Sequence, residues 1–325
     1  TTYYWRVGPD NGSLGRDSGR IWDFRTMDEP MKNDVTFFVC SDTHYGRSDN
    51  KRLNEETIDM MNAVPGMQLP SEAGGGIVRT PRGVIVNGDL LDEPNGVRGK
   101  GNWDDFVKDY GLDGSDGRLG FPAYEGFGNH DVEGRPDRET PPGGYTRWGI
   151  RERNRLRKGI TELSPDSLHY SWDWDDVHLV QLNLFGGDGP EDVMHVDARM
   201  HDPGKALEFL RKDLERYVGK SRRKVVIFQH IGWVDGMSDW WTPEAKQRFY
   251  DVVKGYNIVA LINGHSHGAG FYYWQGLLTI HDGATARPES GKGDFMIVRL
   301  ADNELTVVQR KREGWGIIFH KKLSD

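Results

Sequence analysis

Residues 34–44 read DVTFFVCSDTH: an apolar run rich in β-branched and aromatic side chains, then at once Ser41-Asp42-Thr43-His44. The run has the composition of a buried strand. The side chains that follow it are ones that bind metals or move protons. The same arrangement recurs four times. Residues 82–92, RGVIVNGDLLD, carry a strand signal to Asn87 and then Gly88-Asp89-Leu90-Leu91-Asp92. Residues 122–131, PAYEGFGNHD, pass from a strand signal into Gly128-Asn129-His130-Asp131. The run ending at Gln229 leads to His230, and the run ending at Asn263 leads to Gly264-His265-Ser266-His267.

Working outward, strand signals at 34–40, 82–87, 122–127, 177–183, 224–229 and 258–263 alternate with helix signals at about 51–63, 102–110, 146–158, 204–218 and 242–255. That alternation predicts an α/β fold. In an open α/β sheet the carboxyl ends of parallel strands lie along one edge, where ligands collect. Clusters spread over more than 200 positions are therefore expected to meet in one pocket. After residue 268 the texture changes to short strand signals at 270–275, 277–282, 294–300 and 304–311, read as an antiparallel extension of the sheet with Asp302-Asn303 as a turn. Residues 1–33 read as an N-terminal wrapping segment and 34–325 as a single domain. The irregular stretches 131–146 and 185–203 are long enough to be functional loops.

The donor atoms in the clusters are carboxylate oxygens, one amide oxygen and imidazole nitrogens, without thiolate. That set suits hard-to-borderline divalent metals. Glycines 88, 128 and 264 are expected to let the chain turn sharply as each strand delivers its ligands. Two ions about 3.5–4 Å apart could share a carboxylate and a hydroxide and clamp a phosphoryl group.

The blocks D-x-H, G-D-x-x-D, G-N-H-D, a lone post-strand histidine and G-H-x-H stand here in the order of the calcineurin-like metallophosphoesterase superfamily, which the chain resembles over about residues 34–268. The resemblance implies a four-layer α/β/β/α sandwich of two mixed β-sheets flanked by helices, with a dinuclear metal site at the strand C-terminal edge. It implies that Asp42, His44 and His267 bind one metal, that Asn129, His230 and His265 bind the other, and that Asp89 bridges them. Zn, Mn or Fe would fill such a site. His130 would stand beside the phosphate as a general acid or transition-state stabiliser, oriented by Asp92. The implied activity is hydrolysis of a phosphomonoester or phosphodiester on a small organic phosphate. One departure is plain: the protein-phosphatase branch follows G-D-x-x-D with Arg-Gly, whereas Glu93-Pro94 follows here. Arg47 and Arg287 are the cations neighbouring the motif segments.

Several features outside the motifs have ordinary readings. The basic stretch Arg151–Lys158 reads as the solvated face of a helix. Asp131 reads as a solvated loop carboxylate, and His195 and His201 as exposed. His281-Asp282 ends a strand directed toward the site, and Trp240-Trp241 would either wall the pocket or pack a loop. Cys40 is the only cysteine in the 325 residues, so no internal disulfide forms, and it reads as a small buried hydrophobe. With 42 basic and 50 acidic residues the net charge is −8, which offers no electrostatic reason to bind DNA. Two alternatives stay open at this stage: a nuclease or nucleotide phosphodiesterase on a polymer, and a non-catalytic interaction protein. Thr1 in place of an initiating Met leaves secretion or periplasmic export open, and oligomeric state is not legible.

Overall fold

A computed structural model describes residues 2–5, 22–25, 34–132, 140–194, 201–233, 240–286 and 293–323. Within the N-terminal segment, strands β1 (Thr2–Trp5) and β2 (Trp22–Arg25) pair antiparallel with each other; the rest of residues 1–33 lies outside the described residues.

All six residues of β3 (Val35–Cys40) are buried, so both faces of this strand are covered. Phe37 and Val39 join a core that includes Ile85, Trp172, Val226, Phe228 and Ile262, between two sheets. Phe38 and Cys40 point the other way, into a core shared with Ile58, Met61 and Phe106 of the flanking helices. One strand therefore specifies two interfaces, because side chains alternate along it.

The first sheet also holds β4 (Val84–Asn87), β5 (Ala123–Gly126), β13 (Asp294–Ala301), β14 (Glu304–Lys311) and β15 (Gly314–Lys322), in the order β15-β14-β13-β3-β4-β5. The second holds β6 (Ile160–Leu163), β7 (Tyr170–Trp174), β8 (Val177–Gln181), β9 (Lys224–Gln229), β10 (Asn257–Asn263), β11 (Ala269–Trp274) and β12 (Leu277–Asp282), in the order β11-β12-β10-β9-β8-β7-β6. Helices α1 (Asn50–Ala63), α2 (Gly96–Asp109), α3 (Gly144–Leu156), α4 (Ala206–Asp213) and α5 (Pro243–Val253) flank them, giving the expected sandwich. No helix among the described residues is long and apolar enough to cross a membrane.

Strands β3, β4 and β5 are mutually parallel, as are β8, β9, β10 and β12. Their carboxyl ends deliver every motif block. The late strands differ from expectation in two ways. They divide between the sheets, β11 and β12 on one and β13 to β15 on the other, and β12 pairs parallel with β10. Asp302 and Asn303 do make the β13–β14 turn, both with positive φ (50° and 60°), the signature of a tight two-residue hairpin. The helix read at 204–218 ends its α-helical part at Asp213 and widens into a π turn over Leu214–Val218.

The basic stretch 151–158 keeps Glu152, Arg155 and Lys158 on a solvated face but is corrected at two positions. Arg153 and Arg157 are buried, and they converge on the fully buried Glu125 of β5. Arg153 Nε and Arg157 Nη2 each donate to Glu125 Oε1 at 2.8 Å, and Arg153 Nη2 also donates to the Tyr110 carbonyl at 3.0 Å. Helical spacing cannot distinguish such a cluster from a solvated face, because the anion lies elsewhere in the chain. Burial pushes the Glu125 carboxyl up, but the two guanidinium groups outweigh it and bring it from 4.5 down to about 2. The cluster fixes β5 four residues before Asn129. With the folded value depressed, its stabilisation is complete above about pH 4.5 and fades as pH falls toward 2. Glu125→Gln should therefore cost about 3–5 kcal/mol at pH 7 by stranding two buried cations. Chemical denaturation of both proteins across pH 2–7 checks this: their difference should narrow on acidification, and a pH-independent difference would contradict it.

Candidate metal centre

The loops after β3 and β4 are fastened together by backbone hydrogen bonds. Asp42 N–H donates to the Gly88 carbonyl (3.0 Å), His44 N–H to Asp89 (2.9 Å), Tyr45 N–H to Leu90 (2.9 Å) and Asp92 N–H to Tyr45 (2.9 Å). Gly88 turns with φ +86°, as expected of glycine. Gly128 and Gly264 serve otherwise. Neither has positive φ, and a Cβ on Gly128 would collide with the Asp89 carboxylate, one on Gly264 with Ser41. They permit close approach instead of a turn.

Five of the seven expected ligands bend sharply off their strands in the left-handed region: Asp42 (φ 55°), His44 (43°), Asp89 (51°), His265 (68°) and His267 (54°). Such conformations cost non-glycine residues roughly 1–3 kcal/mol each and persist where the surroundings impose them. They gather at one strand edge.

The side chains meet in two groups, Asp42 with His44 and His267, and Asp89 with His230 and His265; within each group the ligand atoms lie within 4.8 Å of one another. His267 Nε2 is 3.3 Å from both Asp42 Oδ1 and His44 Nε2. Asp89 Oδ2 lies between the groups, 3.7 Å from His44 Nε2 and 3.3 Å from His230 Nε2. Asn129 Oδ1 is 3.1 Å from His230 Nε2. The second oxygen of Asp89, Oδ1, accepts the His130 backbone N–H at 2.9 Å, so it is held while Oδ2 faces inward.

The supporting contacts select ring nitrogens. His230 Nδ1 is 2.7 Å from the Asn87 carbonyl, so Nδ1 keeps its proton and Nε2 is the nitrogen left to face the pocket, able to offer a lone pair once its own proton is lost. His230 backbone N–H donates to the Asn183 carbonyl (2.6 Å), and Asn183 Oδ1 accepts from Phe127 N–H (3.2 Å), which couples the β9 and β5 loops. Asp131 is buried, not solvated as its loop position suggested. Its carboxylate accepts from the backbone N–H groups of Leu90 (3.0 Å), Leu91 (2.9 Å) and Gly128 (2.8 Å) and from Thr146 Oγ1 (3.0 Å). Asp282 accepts from Ser41 Oγ (2.7 Å) and Asn87 Nδ2 (2.9 Å), bracing the β3 and β4 ends. His281 is buried beside it, 3.4 Å from Ser266 Oγ.

His130 belongs to neither group but to a third, with His44 and Asp92, whose ligand atoms also lie within 4.8 Å of one another; its side chain is 28 % exposed and its ring 4.8 Å from that of His44. Its Nδ1 is 3.9 Å from Asp92 Oδ1, beyond hydrogen-bond reach. That oxygen lies equally far from His44 Nδ1, accepts from Arg47 Nε (3.0 Å) and forms an ion pair with Arg47 Nη2 (2.9 Å). The tryptophan pair separates: Trp241 is fully buried and donates to the Gly232 carbonyl, while the partly exposed Trp240 lies 4.8 Å from the His265 ring. His201 is buried, not exposed, against Trp240 (5.4 Å). His195 and Arg287 lie outside the described residues.

These residues fit a pair of cations. Asp42 and Asp89 are buried carboxylates, and among the described residues Asp42 Oδ1 has the His267 ion-pair contact but no well-aligned hydrogen-bond donor. Burial pushes both carboxyls up, yet the imidazoles around them, His230 foremost for Asp89, win and hold them below the usual carboxylate range. The imidazoles answer in kind: burial lowers His230, but Asp89 and Asp42 outweigh it and raise it to about 10, while burial takes His265 down to about 4. Protons on His230 thus supply part of the positive charge that the carboxylates demand, and a metal would replace them.

A family model described as calcineurin-like phosphoesterase matches residues 35–269. The chain belongs to that family. Its reaction class is metal-dependent phosphoester hydrolysis at a dinuclear site. Among solved structures, a dimetal phosphatase from Danio rerio is 13% identical with a TM-score of 0.58, covering 89% of this chain and 99% of its own. Purple acid phosphatase PPD1 from yellow lupin (Lupinus luteus) is 12% identical with a TM-score of 0.57, covering 94% of this chain and 57% of its own. GAP50, the anchor in the inner membrane complex of Plasmodium, is 12% identical with a TM-score of 0.50, covering 90% of this chain and 89% of its own. At these identities the likeness is one of fold. No curated protein matches the chain.

A ligand must be deprotonated to bind metal, and His230 and His267 both have raised values in the metal-free site. Metal uptake by this phosphoesterase should therefore release protons and strengthen as pH rises from 6 to 8. Calorimetric titration of Mn or Zn into the metal-free protein, in buffers of different ionisation enthalpy, measures the protons released; a count of zero would contradict the assigned ligands.

Proposed function

We propose that Asp42, His44 and His267 hold one metal ion, that Asn129, His230 and His265 hold a second, and that Asp89 bridges them in an enzyme hydrolysing small organic phosphate esters. The observation that carries this is a single atom: Asp89 Oδ2 faces His44 Nε2 of one group and His230 Nε2 of the other. A metal pair held by these residues would supply Lewis acidity toward phosphoryl oxygens and a nucleophile at neutral pH. Zn, Mn and Fe all suit this donor set.

The protein's own groups orient and protonate. Asn87, through its carbonyl, fixes the His230 tautomer. Asp131 and Asn183 hold the loops that present Asp89, Asn129 and His230. His130, part-exposed and outside both ligand groups, would meet the substrate and donate a proton to the leaving oxygen. The 3.9 Å gap to Asp92 is one that substrate binding can close, since catalytic hydrogen bonds are often long without substrate. Trp240, its ring 4.8 Å from that of His265, would receive an organic leaving group.

The complete ligand set favours this reading over a non-catalytic interaction protein. The net charge of −8 favours small esters over a nucleic-acid polymer.

Chelation should abolish hydrolysis of an aryl phosphate, and Mn or Zn should restore it. Asp89→Asn should lose metal and activity together. His130→Ala should keep two ions per chain while the rate falls about 10²–10⁴-fold. Metal analysis beside steady-state kinetics checks each; an undiminished rate in His130→Ala would remove that residue from the mechanism.

A further inference from the structure

The G-D-x-x-D block ends at Asp92 and continues into Glu93-Pro94, so no arginine follows it in the chain. An arginine nevertheless reaches the same carboxylate in space. Arg47, three residues beyond His44, places Nε and Nη2 at 3.0 and 2.9 Å from Asp92 Oδ1. This oxygen is also the one 3.9 Å from Nδ1 of His44 and 3.9 Å from Nδ1 of His130. The guanidinium is thus one carboxylate oxygen away from a metal-binding imidazole on one side and from the proposed acid on the other.

Its mounting is rigid. Tyr45 is fully buried, its hydroxyl donates to Asp109 at 2.7 Å, and Tyr45 bridges to Leu91 next to Asp92. Arg47 N–H donates to the His44 carbonyl at 3.1 Å, closing the turn that carries it. Arginine has five N–H donors, and the contact with Asp92 engages only the Nε–Nη2 edge. Among the described residues no other hydrogen bond or ion pair to the Arg47 side chain occurs, and that side chain is 35 % exposed. A planar fork fixed at one edge with its other edge free is suited to phosphate oxygens.

We propose that Arg47, held by Asp92, binds a terminal oxygen of the substrate's phosphoryl group, and that the substrate class is therefore the phosphomonoester. This rests on the two-metal reading above. A monoester presents three terminal oxygens and up to two negative charges; a diester presents two oxygens and one charge. Were two oxygens taken up by a metal pair held there, a third would remain for Arg47 only in a monoester. In a diester that position carries the second organic group, which a guanidinium does not bind. Asp92 is accordingly a positioning residue for Arg47, as well as a neighbour of His44 and His130.

The test compares metal-loaded wild type with Arg47→Gln and Arg47→Lys by metal content, by calorimetric binding of inorganic phosphate, and by kcat/KM on an aryl phosphate and a methyl aryl phosphodiester. Arg47→Gln should retain two ions per chain and bind phosphate about 10–100-fold more weakly, the factor expected from losing hydrogen bonds to a charged group. Its kcat/KM should fall similarly on the monoester and at least tenfold less on the diester. Arg47→Lys should recover part of the phosphate affinity, since it restores charge without the fork. Unchanged phosphate affinity, equal losses on both esters, or loss of metal from Arg47→Gln would each overturn the proposal. A wild-type protein that binds no metal would overturn the two-metal reading itself, a result visible before any variant is made.

Discussion

Two carboxylates, Asp42 and Asp89, are buried at the edge where two sheets meet, and the negative charge they carry dominates the site. Without water around them, they need positive charge within a few ångströms. In the metal-free protein the imidazoles supply it as protons, which is why His230 binds its proton so tightly while the carboxyls are held below their ordinary range. The same demand makes the pocket a cation trap. Strain along the backbone, buried polar tethers and close-packed glycines all keep this charge arrangement from relaxing.

The fold makes that arrangement affordable in conformational terms by rigidity outside the pocket. The candidate ligand loops start from buried parallel strands, and four of them are tied to a neighbour: β3 to β4 by the backbone ladder from Asp42 to Asp92, β4 to β5 through Asp131, β5 to β9 through Asn183. Glu125 with Arg153 and Arg157 anchors β5 from beneath. Left-handed residues at five candidate ligand positions are tolerated because these tethers leave few alternatives.

Much of this was legible in the sequence because the informative signal is local: a buried strand followed at once by polar side chains. Asp42, Asp89, Asn129, His230 and the 265/267 histidines were each identifiable by that rule, and so were the strands that carry them. Asn183 obeys the same rule at the end of β8 and could have been found by it. What was illegible depends on partners remote in the chain. Asp131 looked like a loop carboxylate because its donors are backbone N–H groups, which no side-chain pattern reveals. Arg153 and Arg157 looked solvated because Glu125 belongs to another strand. Strand β6 (ITEL) is too short to show a period-2 signal, whereas β7 (YSWDW) alternates apolar and polar side chains and could have been found by that rule; β15 is partly exposed along its length. The Arg47–Asp92 contact joins two motif blocks whose spacing gives no hint of it.

The central claim is that seven side chains from five strand ends surround two cations with Asp89 between them. Anomalous diffraction from crystals grown with Mn tests it most directly. The account predicts two peaks about 3.5–4 Å apart on either side of Asp89 Oδ2, one beside Asp42 and His267, the other beside Asn129 and His265. A single peak at full occupancy, or peaks away from these side chains, would contradict it.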